Sequence, residues 1–93
     1  MIMKKMYVAI NTINKATEFV QKASQVDGDV ICTKGRYTID GKSIMGIFSI
    51  DISEGIMVEY PETATDFEEY LSQFKVNEAG LQYPALFFIK FMI

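Results

Sequence analysis

Between Met6 and Val26 the spacing of apolar residues changes period, and this change restricts what the chain can fold into more than any other feature. Met6-Tyr7-Val8-Ala9-Ile10 is a short run of strand-forming residues closed by Asn11-Thr12, and it reads as a strand. From there the apolar residues return at three- and four-residue steps through Ile13, Ala16, Phe19, Val20, Ala23 and Val26. That step places them on one face of an amphipathic helix over residues 13–26. Asn11, Thr12 and Asn14 are each able to cap this helix, and Asp27-Gly28 ends it.

The rest of the chain alternates in the same way. Val30–Thr33 and Arg36–Ile39 flank Lys34-Gly35, a two-residue link whose glycine can take the positive φ of a hairpin turn. Asp40-Gly41 is a second turn. Ser43 then opens a short helix carrying Ile44, Met45, Ile47, Phe48 and Ile50, of which Ile47 and Ile50 read as core. After Glu54-Gly55 the segment Ile56–Tyr60 sets Ile56, Val58 and Tyr60 on one strand face and Met57 and Glu59 on the other. Pro61 closes that strand, and Thr65 followed three residues later by Glu68 has the form of a capping box. Phe67, Tyr70, Leu71 and Phe74 follow at the spacing of a helix laid against a sheet. The predicted order is therefore β-α-β-β-α-β-α, an α+β chain without internal repeats.

Composition narrows the function classes. With 93 residues, 49% of them apolar, the chain suits one domain able to bury a core without disulfides. A formal charge of -3 and a pI near 4.8 argue against a nucleic-acid partner, because phosphate binding needs clustered Lys and Arg. The single cysteine, Cys32, sits in a strand-like run and reads as a structural, buried thiol compatible with a reducing compartment. With no histidine and one cysteine a metal site is not expected, nor is a cofactor. Asp66, Glu68 and Glu69 suit the first turn of the last helix for dipole reasons alone. Asp51, Glu54, Glu59 and Glu62 form no acid/base pair, so no enzyme is expected. Met1–Met6 has a charge pair without a following apolar stretch and does not read as a secretion signal, which makes the cytoplasm the expected location.

Ser43 is the residue with the clearest chemistry. As a helix N-cap its hydroxyl accepts from a backbone N–H one turn in, and a phosphate there would meet the positive end of the helix dipole. Spacing alone leaves open whether it is a phosphorylation site or only a cap. The gapless stretch from Val30 to Ser49, with Lys42-Ser43-Ile44-Met45-Gly46 at its centre, resembles the middle of HPr, the small phosphocarrier of the bacterial sugar phosphotransferase system. The resemblance covers roughly residues 6 to 75. It implies the HPr-like fold, an open-faced β-sandwich with a four-stranded antiparallel sheet covered on one side by three helices, over a domain of residues 1–76. It also makes Ser43 the counterpart of the family's regulatory serine, the substrate of an HPr serine kinase.

The resemblance breaks at the loop that carries phosphate. Family members use a histidine within Gly-(Ile/Leu)-His-Ala-Arg-Pro-Ala between the first strand and first helix. Here the chain reads Ile10-Asn11-Thr12-Ile13-Asn14-Lys15-Ala16-Thr17, shorter than the family's loop, and only Ala16 and Thr17 match. Phosphate esters of a hydroxyl are far more stable than phosphoramidates, so Thr12 is a poor substitute, and the arginine that would hold the phosphate is missing. The resemblance thus implies a regulatory or adaptor protein switched at Ser43, as in catabolite-repression HPr homologues that lack the histidine and bind a transcriptional regulator. Ile44, Met45 and Phe48 stand where the family exposes apolar side chains for docking, bordered by Thr17, Gln21 and Lys42. Phosphotransferase enzymes are partners of the same kind. A constitutive interaction module, with Ser43 only a cap, is the alternative from a different class, and a phosphocarrier with a substituted acceptor the third.

Residues 77–93 have no counterpart in the family. Leu81 to Ile93 holds ten apolar residues and one charge, Lys90, in thirteen positions. This is too short to cross a bilayer, which takes about 20 residues. So apolar a C-terminal extension is expected to be buried against its own domain or a second copy of the chain, and self-association is the reading preferred from sequence.

Overall fold

The computed structural model describes residues 2–76; the expected extension over 77–93 lies outside the described residues. Seven elements follow one another: β1 (Met3–Val8), α1 (Ile13–Ser24), β2 (Ile31–Lys34), β3 (Tyr37–Asp40), α2 (Ile44–Phe48), β4 (Ile56–Pro61) and α3 (Thr65–Ser72). The strands form one antiparallel sheet in the order β1-β4-β2-β3. This is the expected β-α-β-β-α-β-α order and architecture.

Strand alternation decides which face is covered. Met6 and Val8 of β1, Cys32 of β2, and Ile56, Val58 and Tyr60 of β4 belong to one core cluster with Ala16, Phe19 and Ala23 of α1, Ile47 of α2, and Phe67, Tyr70 and Leu71 of α3. All three helices therefore lie on one side of the sheet, because adjacent side chains of a strand point to opposite faces. Phe67 is the junction of this core: its ring centroid lies 5.7 Å from that of Phe19 and 5.9 Å, edge-on, from that of Tyr60. Cys32 is fully buried, and burial together with nearby Asp40 pushes its thiol up to about 12, so it is protonated and inert, as its strand position suggested.

Several element boundaries and contacts differ from the sequence reading. β1 begins at Met3 rather than Met6, because its register is set by the six residues of β4, from Met3↔Pro61 to Val8↔Ile56. The hairpin turn is Gly35-Arg36 rather than Lys34-Gly35. Lys34 pairs with Tyr37, and Gly35 at φ 59 with Arg36 outside the positive-φ region gives the glycine-first form of a two-residue turn. α1 ends at Ser24, so Val26 is buried beyond the helix and not on its face. Ile13 is 71% exposed. It lies roughly a quarter turn from the centre of the Ala16-Phe19-Ala23 stripe, at the margin where packing ends.

The capping box at α3 does not form. Thr65 is already the first helical residue, Ala64 occupies the N-cap, and no side chain caps the helix. Glu68 reaches to the sheet instead: it accepts the Tyr60 hydroxyl at 2.7 Å and pairs with Lys4 Nζ at 2.6 Å, tying α3 to β4 and β1. The other two sequence-read caps do form. Thr12 Oγ1 accepts from Lys15 N–H at 3.1 Å, which selects Thr12 from the three candidates, and Ser43 caps α2.

Candidate phosphorylation and docking site

The start of α2 is fixed by the turn before it. Asp40 accepts twice, its Oδ1 from Lys42 N–H at 2.9 Å and its carbonyl from Ser43 N–H at 3.1 Å. Gly41 N–H donates to Val30 O at 2.7 Å, and a Cβ at position 41 would lie 2.6 Å from Val30 Cγ1, so this close approach to the residue preceding β2 requires glycine. Ser43 is thereby held in extended backbone, φ -105 and ψ 114, and its Oγ accepts from Gly46 N–H at 3.0 Å. Its carbonyl accepts from Ile47 N–H at 3.0 Å, closing the first helical turn. The hydroxyl is half-buried and faces the donor end of the helix.

α2 has only five residues, and they divide cleanly. Ile47 is fully buried, while Ile44 is half-buried, Phe48 is 44% exposed and Met45 is 76% exposed. Around the helix these three succeed one another from the core margin outward, Ile44, then Phe48, then Met45. Ile50, beyond the helix, is half-buried against the core. The apolar exposure next to Ser43 is therefore a property of one helix face.

The flanking residues are distributed along α1, which packs beside α2. Lys15 and Lys22 lie over the rings of Phe74 and Tyr70, so that flank of α1 faces α3. Thr17 lies on the opposite flank with Ile13 and Val20, and Gln21 just beyond it toward solvent. Both Thr17 and Gln21 are exposed, and Thr17 Oγ1 donates to Ile13 O at 2.9 Å. Lys42 is engaged elsewhere: its Nζ donates to Val26 O at 2.8 Å, tying the start of α2 to the chain leaving α1. The charge of Lys42 thus lies against a carbonyl of its own domain. Ile13 is the apolar residue that sequence reasoning placed in the core and the structure places on the surface, on the α2 side of α1.

The segment between β1 and α1 holds no imidazole. Thr12, its nearest hydroxyl, caps α1, and Lys15 Nζ donates to Asn11 Oδ1 at 3.4 Å. No group of three or more potential metal-ligating side chains occurs among the described residues. No helix among them is long and apolar enough to cross a membrane.

The described residues thus form an open-faced sandwich whose serine-capped second helix lies beside exposed apolar side chains. The model of the family described as the PTS HPr component phosphorylation site matches residues 13–76, and the chain belongs to that family. Among solved structures the chain is similar to a phosphocarrier protein HPr from Bacillus anthracis, with 27% identity, TM-score 0.62, and coverage of 81% of this chain and 96% of that one. It is also similar to HPr-C-His from Thermoanaerobacter tengcongensis, with 26% identity, TM-score 0.60, and coverage of 75% and 88%. No curated protein matches the chain. Members of the family are phosphocarriers of the phosphotransferase system rather than enzymes, and they act through protein partners.

Proposed function

We propose that this chain is a regulatory or adaptor member of the HPr family, acting in the cytoplasm, that does not relay phosphate through histidine and is switched by phosphorylation of Ser43. The observation that carries this reading is the placement of Ser43 Oγ at the N-cap of α2, directly beside exposed Met45 and Phe48. A phosphoryl group there adds roughly -1.5 to -2 of charge. It converts an apolar face into an apolar face with an anion at its edge, which a partner bearing Arg or Lys beside an apolar pocket distinguishes from the unmodified form. Ile44, Met45 and Phe48 supply the apolar contact, with Thr17 and Gln21 at the border and Lys42 fixing the start of α2. A serine kinase, a transcriptional regulator and the phosphotransferase enzymes are the partner classes this implies.

The second reading rests on the same hydrogen bond. Ser43 Oγ already accepts from Gly46 N–H, so the serine is also explained as a cap within a constitutive interaction module. The two separate on incubation with HPr serine kinase and ATP. The switch requires one phosphoryl group in the parent and none in Ser43→Ala, with retained fold checked by circular dichroism. An unmodified parent, or modification that persists in Ser43→Ala, leaves the constitutive module.

A further inference from the structure

The helix-free face of the sheet takes no part in the docking site, and it is not composed like a solvated surface. Tyr7, Met57 and Thr33 stand in one row across β1, β4 and β2, flanked by Met3 and Ile31. All five are half-buried. Among the described residues, the polar interruption on β1 and β4 is the loose ion pair of Lys5 and Glu59, at 3.8 Å.

A second observation lies at the outer edge of β1. Ala9 N–H donates to Phe74 O at 2.9 Å and Val76 N–H donates to Tyr7 O at 3.0 Å, with Val8 bridged antiparallel to Lys75. After α3 the chain therefore runs beside β1, and Val76 falls opposite Tyr7 on the helix-free side. Val76 is 2% exposed, yet it stands outside the core cluster under the helices. The edge also remains open to further pairing. Ile2 O accepts from Glu62 N–H at 3.0 Å, so the even residues of this segment direct their backbone groups to β4, and Met3 and Lys5 direct theirs outward.

We infer that the helix-free face, entered from the edge of β1, is the seat of the chain's own residues 77–93. The described chain ends at Val76, already paired to that edge. Ten apolar residues among the last thirteen match an apolar face in need of cover. This inference is independent of what happens at Ser43.

The test is a spin label on Lys90→Cys in the full chain, read by amide signal loss. Cys32, buried and protonated, does not compete for the label. In an isotope-labelled chain that carries the spin label, the amides of Tyr7, Thr33 and Met57 are expected to lose the most intensity relative to the reduced form. Those of Thr17, Gln21 and Met45 are expected to lose the least. In an equimolar mixture of isotope-labelled chain without the spin label and spin-labelled chain without isotope, the same sheet amides are expected to keep their intensity. Loss in the mixture would place the segment of a second copy on this face and overturn the inference. Absence of loss in the first sample, or loss falling equally on both sides of the sheet, overturns it as well.

Discussion

Glu68 illustrates how a single side chain answers to distant neighbours rather than to local spacing. Three residues after Thr65 it has the position of a capping-box acid, but its carboxylate instead accepts from Tyr60 and pairs with Lys4. Lys4 first, and then the Tyr60 hydroxyl, hold its carboxyl below the usual carboxylate range. A group depressed in the folded state stabilises the fold above its unfolded pKa, about 4.3 for glutamate, and loses that contribution as pH falls through the folded value. Glu68→Gln is accordingly expected to melt below the parent near neutral pH, with the gap closing below about pH 4. Asp51, held low by the hydroxyl and amide of Ser53, acts with the same sign, so the variant keeps part of the parent's acid sensitivity. Thermal melts of both proteins from neutral to acid pH check this; a gap independent of pH would show that the Glu68 interactions do not titrate as described.

The elements themselves separate caps that form from caps that are only spelled. Ser43 accepts from Gly46 N–H at 3.0 Å, whereas Thr65 lies inside α3 and caps nothing. Ser43→Ala is therefore expected to cost about 1 kcal/mol, and Thr65→Ala less than about 0.5 kcal/mol. Denaturant melts of the two variants measure the difference, and a loss at Thr65 equal to that at Ser43 would restore the capping box. Both serine- and threonine-based readings used the same i, i+3 logic. They diverged because Pro61 and Ala64 set the entry to α3: Ala64 N–H donates to Pro61 O at 3.0 Å, and the helix starts one residue early. The apolar stripe of α1 was legible at its centre, where Ala16, Phe19 and Ala23 are fully buried, and misleading at its margin, where Ile13 is exposed.

Taken entire, the molecule keeps the family's frame and contains no histidine. Incubation with phosphoenolpyruvate and the general phosphotransferase enzyme is expected to leave it unlabelled, because no imidazole is present and Thr12 is engaged as the cap of α1. Acid-labile phosphate on any residue would return the chain to the phosphocarriers. The order of elements, the buried centres of α1, β4 and α3, and the cap at Ser43 could all be read from short stretches, since period and capping chemistry are local properties of the backbone. So could the missing imidazole. The exposure of Ile13, the bond from Lys42 to Val26 O, the partners of Glu68 and the pairing of residues 74–76 along β1 could not. Each depends on which distant segment the antiparallel register and the packing of three helices on one face bring alongside, and no local pattern encodes that neighbour.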